Sequence, residues 1–315
     1  MSRIRYIEIS TKAEQFLSKN IQKFVNIKVQ ENIIREPESA YFKIRPSSKY
    51  DYVSNISFYV NDLDSILSKI GPEFILNRTE TNEGYKKAVI RSILPFLSHD
   101  LYEEEPPKEF VSHFDHIAIA CRVGEMEKVK DWYMNTFKLE PIKLNKHSES
   151  PYEFLVKFDD KGMNLKALKN NLLQNPDIFV FVEPLNTSSN DQISQFLEEN
   201  NNNPGVQHIA FRSENIIDSI IKMKESNFKL IKVPDIYYSQ LTIPSEVKFS
   251  KQTLKENSVL VDFDEFDSNP NFILQTFTLP VFEKKTLFFE LIQRMNSLSF
   301  GERNIKALWK SVEGI

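Results

Sequence analysis

The sequence predicts an α+β protein made of four strand–helix–strands modules joined in two pairs. Two internal repeats carry this reading. "RYIEISTKAEQFLSKNIQKF" (5–24) and "DHIAIACRVGEMEKVKDWYMNTF" (115–137) each read as a short alternating strand, a polar connection and a helix-period segment. "SNISFYVNDLDSILSKI" (54–70) and "QHIAFRSENIIDSIIKM" (207–223) match almost position for position: Ile56 with Ile209, Phe58 with Phe211 and, after one extra residue, Asp64 with Asp218. A repeated order of this kind means one supersecondary unit copied along the chain. The third observation is that strand-like runs follow the helices, among them "EFLVKFDD" (153–160), "DIFVFVEP" (177–184), "FILQTFTLP" (272–280) and "TLFFELIQR" (286–294). The modules therefore begin near residues 4, 53, 114 and 206.

A length of 315 residues is enough for two domains. The stretch "SHDLYEEEPPKEFVSH" (98–113) reads as the linker between them. It joins an acidic run to Pro106-Pro107, which can neither donate to a ladder nor continue a helix. The expected division is 1–107 and 108–315. Composition is that of a globular protein, 41% hydrophobic and 27% charged, with a net charge of −4. Lys and Arg are scattered, which argues against a nucleic acid or anionic membrane partner. No apolar run is long enough to span a bilayer, and the N-terminus lacks a signal-peptide core. Cys121 is the only cysteine, so no intrachain disulfide can form. These features together point to a cytoplasmic protein.

The chemistry is concentrated where the repeats differ. His116 in the third module stands where Tyr6 stands in the first, and His208 in the fourth stands where Asn55 stands in the second. Strand side chains alternate faces, so His116 shares a face with Ala118 and Ala120, and His208 shares one with Ala210. Small neighbours leave space in front of both imidazoles. Glu290 lies inside the apolar strand "TLFFELIQR", where an unpartnered carboxylate would be costly and a cation would remove the cost. Any one of the three is better explained by the fold alone: a strand histidine is usually a satisfied core residue, and a glutamate near a strand end is usually solvated. Taken together, and confined to one duplicated half, they favour a metal site. Two histidines and one carboxylate with open positions form the facial triad of non-haem Fe(II) oxygenases. The other histidines read as bland: His99 and His147 in polar loops, His113 exposed ahead of a strand.

"GVQHIAF" (205–211), "FFELIQR" with Glu290, and "SFGERNIKALWKSVE" (299–313) closely resemble the family of 4-hydroxyphenylpyruvate dioxygenase and 4-hydroxymandelate synthase. The likeness spans essentially the whole chain and is clearest over 112–313. It implies the vicinal-oxygen-chelate fold, with βαβββ modules paired into two open β-barrel domains and a C-terminal helix closing the active site. It also implies Fe(II) on His116, His208 and Glu290, and a 2-oxo acid that chelates the iron through its carboxylate and keto oxygens. Decarboxylation of that acid supplies electrons for O2, so no separate 2-oxoglutarate is needed. Gln192, Gln207 and Gln275 match glutamines of the family's pocket, and Phe277 matches an aromatic that stacks on the substrate ring. Phe288 shares the face of Glu290. Phe300 and "NIKALWKSVE" match the closing helix. Family habit makes a homodimer the expected assembly.

Four departures bear on specificity. "GMNL" places Leu165 where the dioxygenases carry Ser, and "VFVEP" places Val182 where they carry Asn before Glu-Pro. Val180 replaces a Pro, and "RNIKAL" brings Ile305 where a second stacking Phe is usual. The synthases share the aliphatic residue before Glu-Pro and the Ile, whereas Leu165 fits neither pattern well. The expectation is oxidative decarboxylation and hydroxylation of an arylpyruvate with O2, giving a mandelate-type acid or homogentisate, with a lean to the former. A less polar or aliphatic 2-oxo acid, a non-catalytic binding protein and extradiol ring cleavage are the competing readings.

Overall fold

The structure is a computed structural model that describes residues 2–25, 40–80, 84–106, 113–144, 150–158, 161–170, 176–187, 191–263, 271–297, 299–301 and 303–305. The first module is β1 (Ser2–Thr11), α1 (Glu14–Val25) and β2 (Tyr41–Pro46). The second is β3 (Tyr52–Val60), α2 (Leu63–Leu67), β4 (Ile75–Glu80), β5 (Lys86–Arg91) and β6 (Ser98–Glu103). The third is β7 (Phe114–Ala120), α3 (Met126–Phe137), β8 (Glu140–Pro141), β9 (Phe154–Phe158), β10 (Lys161–Lys169) and β11 (Ile178–Pro184). After α4 (Gln192–Glu199) comes the fourth: β12 (Gly205–Arg212), α5 (Ile216–Glu225), α6 (Asp235–Gln240), α7 (Lys251–Glu256), β13 (Leu260–Phe263), β14 (Phe272–Phe277) and β15 (Phe288–Met295). Among the described residues the first module has one strand after its helix, whereas the other three have at least three. No helix among the described residues is long and apolar enough to cross a membrane.

The repeat is visible in the pairing. The first and last strands of each module run parallel: β1 with β2, β3 with β6, β7 with β11 and β12 with β15. Parallel neighbours need a crossover, which the helix supplies. The opening strands of paired modules meet antiparallel, β1 with β3 and β7 with β12. Two sheets result, with orders β2-β1-β3-β6-β5-β4 and β13-β14-β15-β12-β7-β11-β10-β8. Local sequence fixes the helix starts: Asp62, Asp191, Asn215 and Ser250 each accept backbone N–H bonds at the N-termini of α2, α4, α5 and α7. The expected four-module, two-sheet architecture is thus present. The first sheet ends at residue 103 and the second begins at 114. The expected linker core, residues 107–112, lies outside the described residues.

One apolar core joins the outer faces of the two sheets. Phe42 of β2 meets Phe114, Phe211 and Phe289 of the second sheet, with ring centroids 5.3, 6.0 and 6.2 Å away. Phe58 of β3 packs on Phe137 of α3 at 4.4 Å and on Phe179 of β11 at 6.0 Å. The inner face of the second sheet, which carries Ala118, Ala120, Leu165 and Val182, belongs to a separate cluster.

Three expectations are corrected here. The acidic stretch taken as linker begins as a strand, since 98–103 is β6. His99 lies not in a polar loop but fully buried in that strand, between the two halves. Its Nδ1–H donates to the Ile56 carbonyl at 2.9 Å, and its Nε2 accepts from Tyr133 of α3 at 3.1 Å. His113 is partly buried rather than exposed, and His147 lies outside the described residues. Burial pushes the His99 imidazole down to about 4. An unfolded histidine titrates near 6.5, so between these values the unfolded chain binds the extra proton and stability falls as pH is lowered. The expected loss from this one group is about 3 kcal/mol across pH 6.5 to 4. Urea midpoints measured over that range should fall more steeply for the native chain than for His99→Gln, whose amide can serve both partners without titrating.

Candidate metal centre and cavity

Strand register brings the three expected ligands together. Ala210 of β12 pairs with His116 on one side and with Glu290 on the other, and His208 sits two residues back on the same face. The ligand strands are therefore adjacent, β7-β12-β15. Ala210 is fully buried between two ligand-bearing positions, where a larger side chain would intrude. His116 Nε2 lies 3.2 Å from His208 Nε2, and Glu290 Oε2 lies 3.4 and 3.5 Å from these two atoms. Donors about 2.1 Å from one ion are roughly 3.0 Å apart at right angles and roughly 3.4 Å apart at the tetrahedral angle. The separations are therefore of the size a shared cation requires, and the cluster could hold a metal ion.

The surrounding polar groups fix which atoms face inward. His116 Nδ1–H donates to Asp115 Oδ1 at 2.8 Å, and His208 Nδ1–H donates to Gln207 Oε1 at 3.1 Å. Both Nε2 atoms are thereby turned to the cluster. A register shift between Val206 and His208 places Gln207 beside the histidine it holds. Gln275 Nε2 donates to Glu290 Oε1 at 2.8 Å, which leaves Oε2 for the shared point. Asp115 is itself buried, and Arg294 grips both its oxygens at 2.8 and 2.9 Å. Burial alone would raise the Asp115 carboxyl, but Arg294 and His116 hold it well below the usual carboxylate range. Burial would likewise lower His116, yet Glu290 and Asp115 raise it, whereas burial and the neighbouring His116 push His208 well down. A cation at the shared point would accept a lone pair from all three side chains at once.

The cluster sits at the base of a cavity of about 460 Å³. Every residue expected at the site lines it: His116, His208, Glu290, Gln192, Gln207, Gln275, Phe277, Phe288, Phe300, Ile305, Leu165 and Val182. Phe288 stacks on the His208 ring at 4.8 Å, and Phe300 meets His116 edge-on at 5.2 Å. Leu165 and Val182 are direct partners across β10 and β11 and are nearly fully buried. Sequence reasoning missed Met163, Ile193 and Phe196 on the wall, and Lys232 and Lys285 at the exposed rim. The helical spacing of Gln192 and Phe196 on α4 could have found the last wall residue. It also missed the Asp115–Arg294 pair, which unites strands distant in sequence.

The C-terminal segment closes one side. Asn304, fully buried, donates to Gln275 Oε1 at 2.7 Å, and Arg294 donates to the carbonyls of Ser297 and Ser299 at 3.1 and 2.7 Å. Residues 303–305 are helical, and the rest of the expected closing helix, 306–313, lies outside the described residues. Gly301 has φ +79°, and a Cβ there would fall 2.2 Å from Gln275 Oε1. Gly301→Ala is expected to cost about 1–3 kcal/mol of stability through the left-handed backbone. It should also push Gln275 off Glu290 and weaken metal binding by roughly 10–100-fold, as loss of a ligand-orienting bond does. Urea unfolding and titration with Co(II) check the two effects separately.

The chain is 32% identical over 241 residues to 4-hydroxyphenylpyruvate dioxygenase of Danio rerio, a match covering 73% of this chain and 54% of the relative. It is 32% identical over 215 residues to a 4-hydroxyphenylpyruvate dioxygenase-like protein of Rattus norvegicus, covering 66% and 57%. The chain thus spans a little over half the length of these curated relatives. A solved triple mutant of 4-hydroxymandelate synthase from Streptomyces coelicolor superposes with a TM-score of 0.76 at 20% identity, over 99% of this chain and 98% of that one. No family model matches. The fold is the vicinal-oxygen-chelate fold. The chain is a homologue of the 4-hydroxyphenylpyruvate dioxygenase and 4-hydroxymandelate synthase family, the family its sequence resembles.

Proposed function

We propose that the chain is a non-haem Fe(II) dioxygenase that oxidatively decarboxylates and hydroxylates an arylpyruvate with O2. The observation that carries this reading is the convergence of His116, His208 and Glu290 on one point in the wall of a largely apolar cavity. Iron held there supplies the O2 chemistry and the Lewis acidity that a 2-oxo acid needs for decarboxylation. Asp115 and Gln207 keep the Nδ1 protons, so both imidazoles offer Nε2 lone pairs. Gln275 engages one oxygen of Glu290, so the carboxylate offers the other. The three ligands come from one sheet face, which leaves the cavity side for the substrate. Lys232 and Lys285 at the rim attract an anionic acid. Phe288 and Phe300 shield the ligand rings, and the apolar wall excludes water from the site.

Specificity follows from what the wall lacks. Leu165 and Val182 put two aliphatic side chains side by side where the resemblance implies hydroxyl and amide groups. Ile305 lines the same cavity as Phe277 and stands where the resemblance implies a second stacking Phe. A ring held from one side is less firmly placed for attack on itself, which favours the benzylic carbon and a mandelate-type product. The same Leu165–Val182 pair favours a second reading, a 2-oxo acid without a phenol. The test is to load the protein anaerobically with Fe(II), add 4-hydroxyphenylpyruvate, phenylpyruvate or a branched aliphatic 2-oxo acid with O2, and follow oxygen uptake and products. A mandelate-type acid from an arylpyruvate supports the first reading, and homogentisate as sole product removes the benzylic preference. Fastest uptake with an acid lacking the phenol supports the second. No uptake with any acid by a protein that retains iron leaves a binding protein.

A further inference from the structure

The two sheets can be compared residue by residue through their registers. In the second sheet Ala210 pairs with both His116 and Glu290, and Gln275 pairs with Ile292, two residues beyond Glu290. In the first sheet Ser57 pairs with Tyr6, the register of β3 with β6 sets Ser57 against Asp100, and Lys87 pairs with Tyr102, two residues beyond Asp100. Tyr6, Asn55, Asp100 and Lys87 therefore occupy the positions of His116, His208, Glu290 and Gln275. These four side chains also converge. Tyr6 Oη–H donates to Asp100 Oδ2 at 2.6 Å, Asn55 Nδ2–H to Oδ1 at 2.9 Å, and Lys87 Nζ–H to Oδ2 at 2.9 Å.

We propose that the N-terminal module pair carries a metal-free counterpart of the ligand cluster, in which the Lys87 ammonium supplies the positive charge that the C-terminal cluster takes from an ion. The charge balance differs in the way this requires. Glu290 has neutral Gln275 at its side and two imidazole lone pairs in front, so its negative charge calls for a cation from solution. Asp100 has a phenol and an amide, both donors, in front and a built-in cation at its side. Neither Tyr6 nor Asn55 presents a ready lone pair to a metal. Burial would raise Asp100, but Tyr6 and Lys87 lower it; burial would lower Lys87, but Tyr102 and Asp100 raise it. Both ends of the pair are thus held charged. On this reading the stability of the first sheet does not depend on metal.

This inference rests on reading the C-terminal cluster as a metal site, and the test separates the two. Two variants are loaded with Co(II) and counted by elemental analysis. One carries Tyr6→His, Asn55→His, Asp100→Glu and Lys87→Gln; the other carries the first three with Lys87 kept. The four-fold variant is expected to bind one more equivalent than the native chain, and the three-fold variant no more than the native chain. An extra equivalent in the three-fold variant, or none in a folded four-fold variant, overturns the proposal. A double-mutant cycle of Lys87→Met and Asp100→Asn decides it independently of whether those variants fold. Each single change should lower the folding constant about tenfold, and the pair clearly less than the product, with or without chelator. Effects that simply multiply overturn the proposal. A native chain that binds no Co(II) refutes the metal reading, while the cycle still decides the role of Lys87.

Discussion

Glu290→Ala is expected to abolish stable metal binding and, with it, turnover of any 2-oxo acid. Glu290 is the only negative charge among the three convergent donors, and its Oε2 stands 3.4 and 3.5 Å from the two imidazole nitrogens. Losing a residue that merely orients a ligand costs roughly 10–100-fold in metal affinity, so losing the charged ligand should exceed that range. The variant should still fold. The lost carboxylate no longer demands a buried cation, and the His116 and His208 rings remain held through Nδ1 by Asp115 and Gln207. Co(II) titration followed by the visible ligand-field spectrum, with oxygen uptake alongside, checks the prediction. Metal affinity within tenfold of the native value would refute the assignment of Glu290.

Arg294→Met is expected to destabilise the chain by about 3–5 kcal/mol, the usual cost of stripping one partner from a buried ion pair. Asp115, 1% exposed, would lose its two-pronged cation and keep only the His116 Nδ1–H bond and Arg212, 4.0 Å away, among the described residues. The damage should reach the metal site as well, because Asp115 sets the tautomer and orientation of His116. Phe300 would lose the guanidinium that lies over its ring at 5.2 Å. The expected readout is a marked fall in urea midpoint together with a roughly 10–100-fold weaker Co(II) affinity. Arg294→Met/Asp115→Leu should recover much of the stability but not the affinity. That split separates a structural ion pair from one that also positions a ligand.

Much of this was legible because alternation along a strand is geometrically strict. It put His116 with the small residues Ala118 and Ala120, and His208 with Ala210, and the repeat confined both histidines to one half. What alternation cannot give is contact between strands far apart in sequence, so the Asp115–Arg294 pair and the Lys87–Asp100 pair were invisible. Nor does it survive a register shift, which is why Gln207 was read as a pocket residue and not as the partner of His208 Nδ1. His99 was misread for a related reason. Its neighbours Ser98 and Asp100 are polar because they face the inner cluster of the first sheet, and this made a buried strand look like an acidic linker. The extent of the closing helix was read only from resemblance.

The order of the ligands along the chain sets the order of events during synthesis. Both histidines leave the ribosome before the strand that carries Glu290, and that strand lies in the middle of its sheet, flanked by β12 and β14. A nascent chain therefore exposes both imidazoles before the carboxylate that would complete a chelate has been made. The cluster is thus a long-range assembly, complete only once β15 has paired with β12.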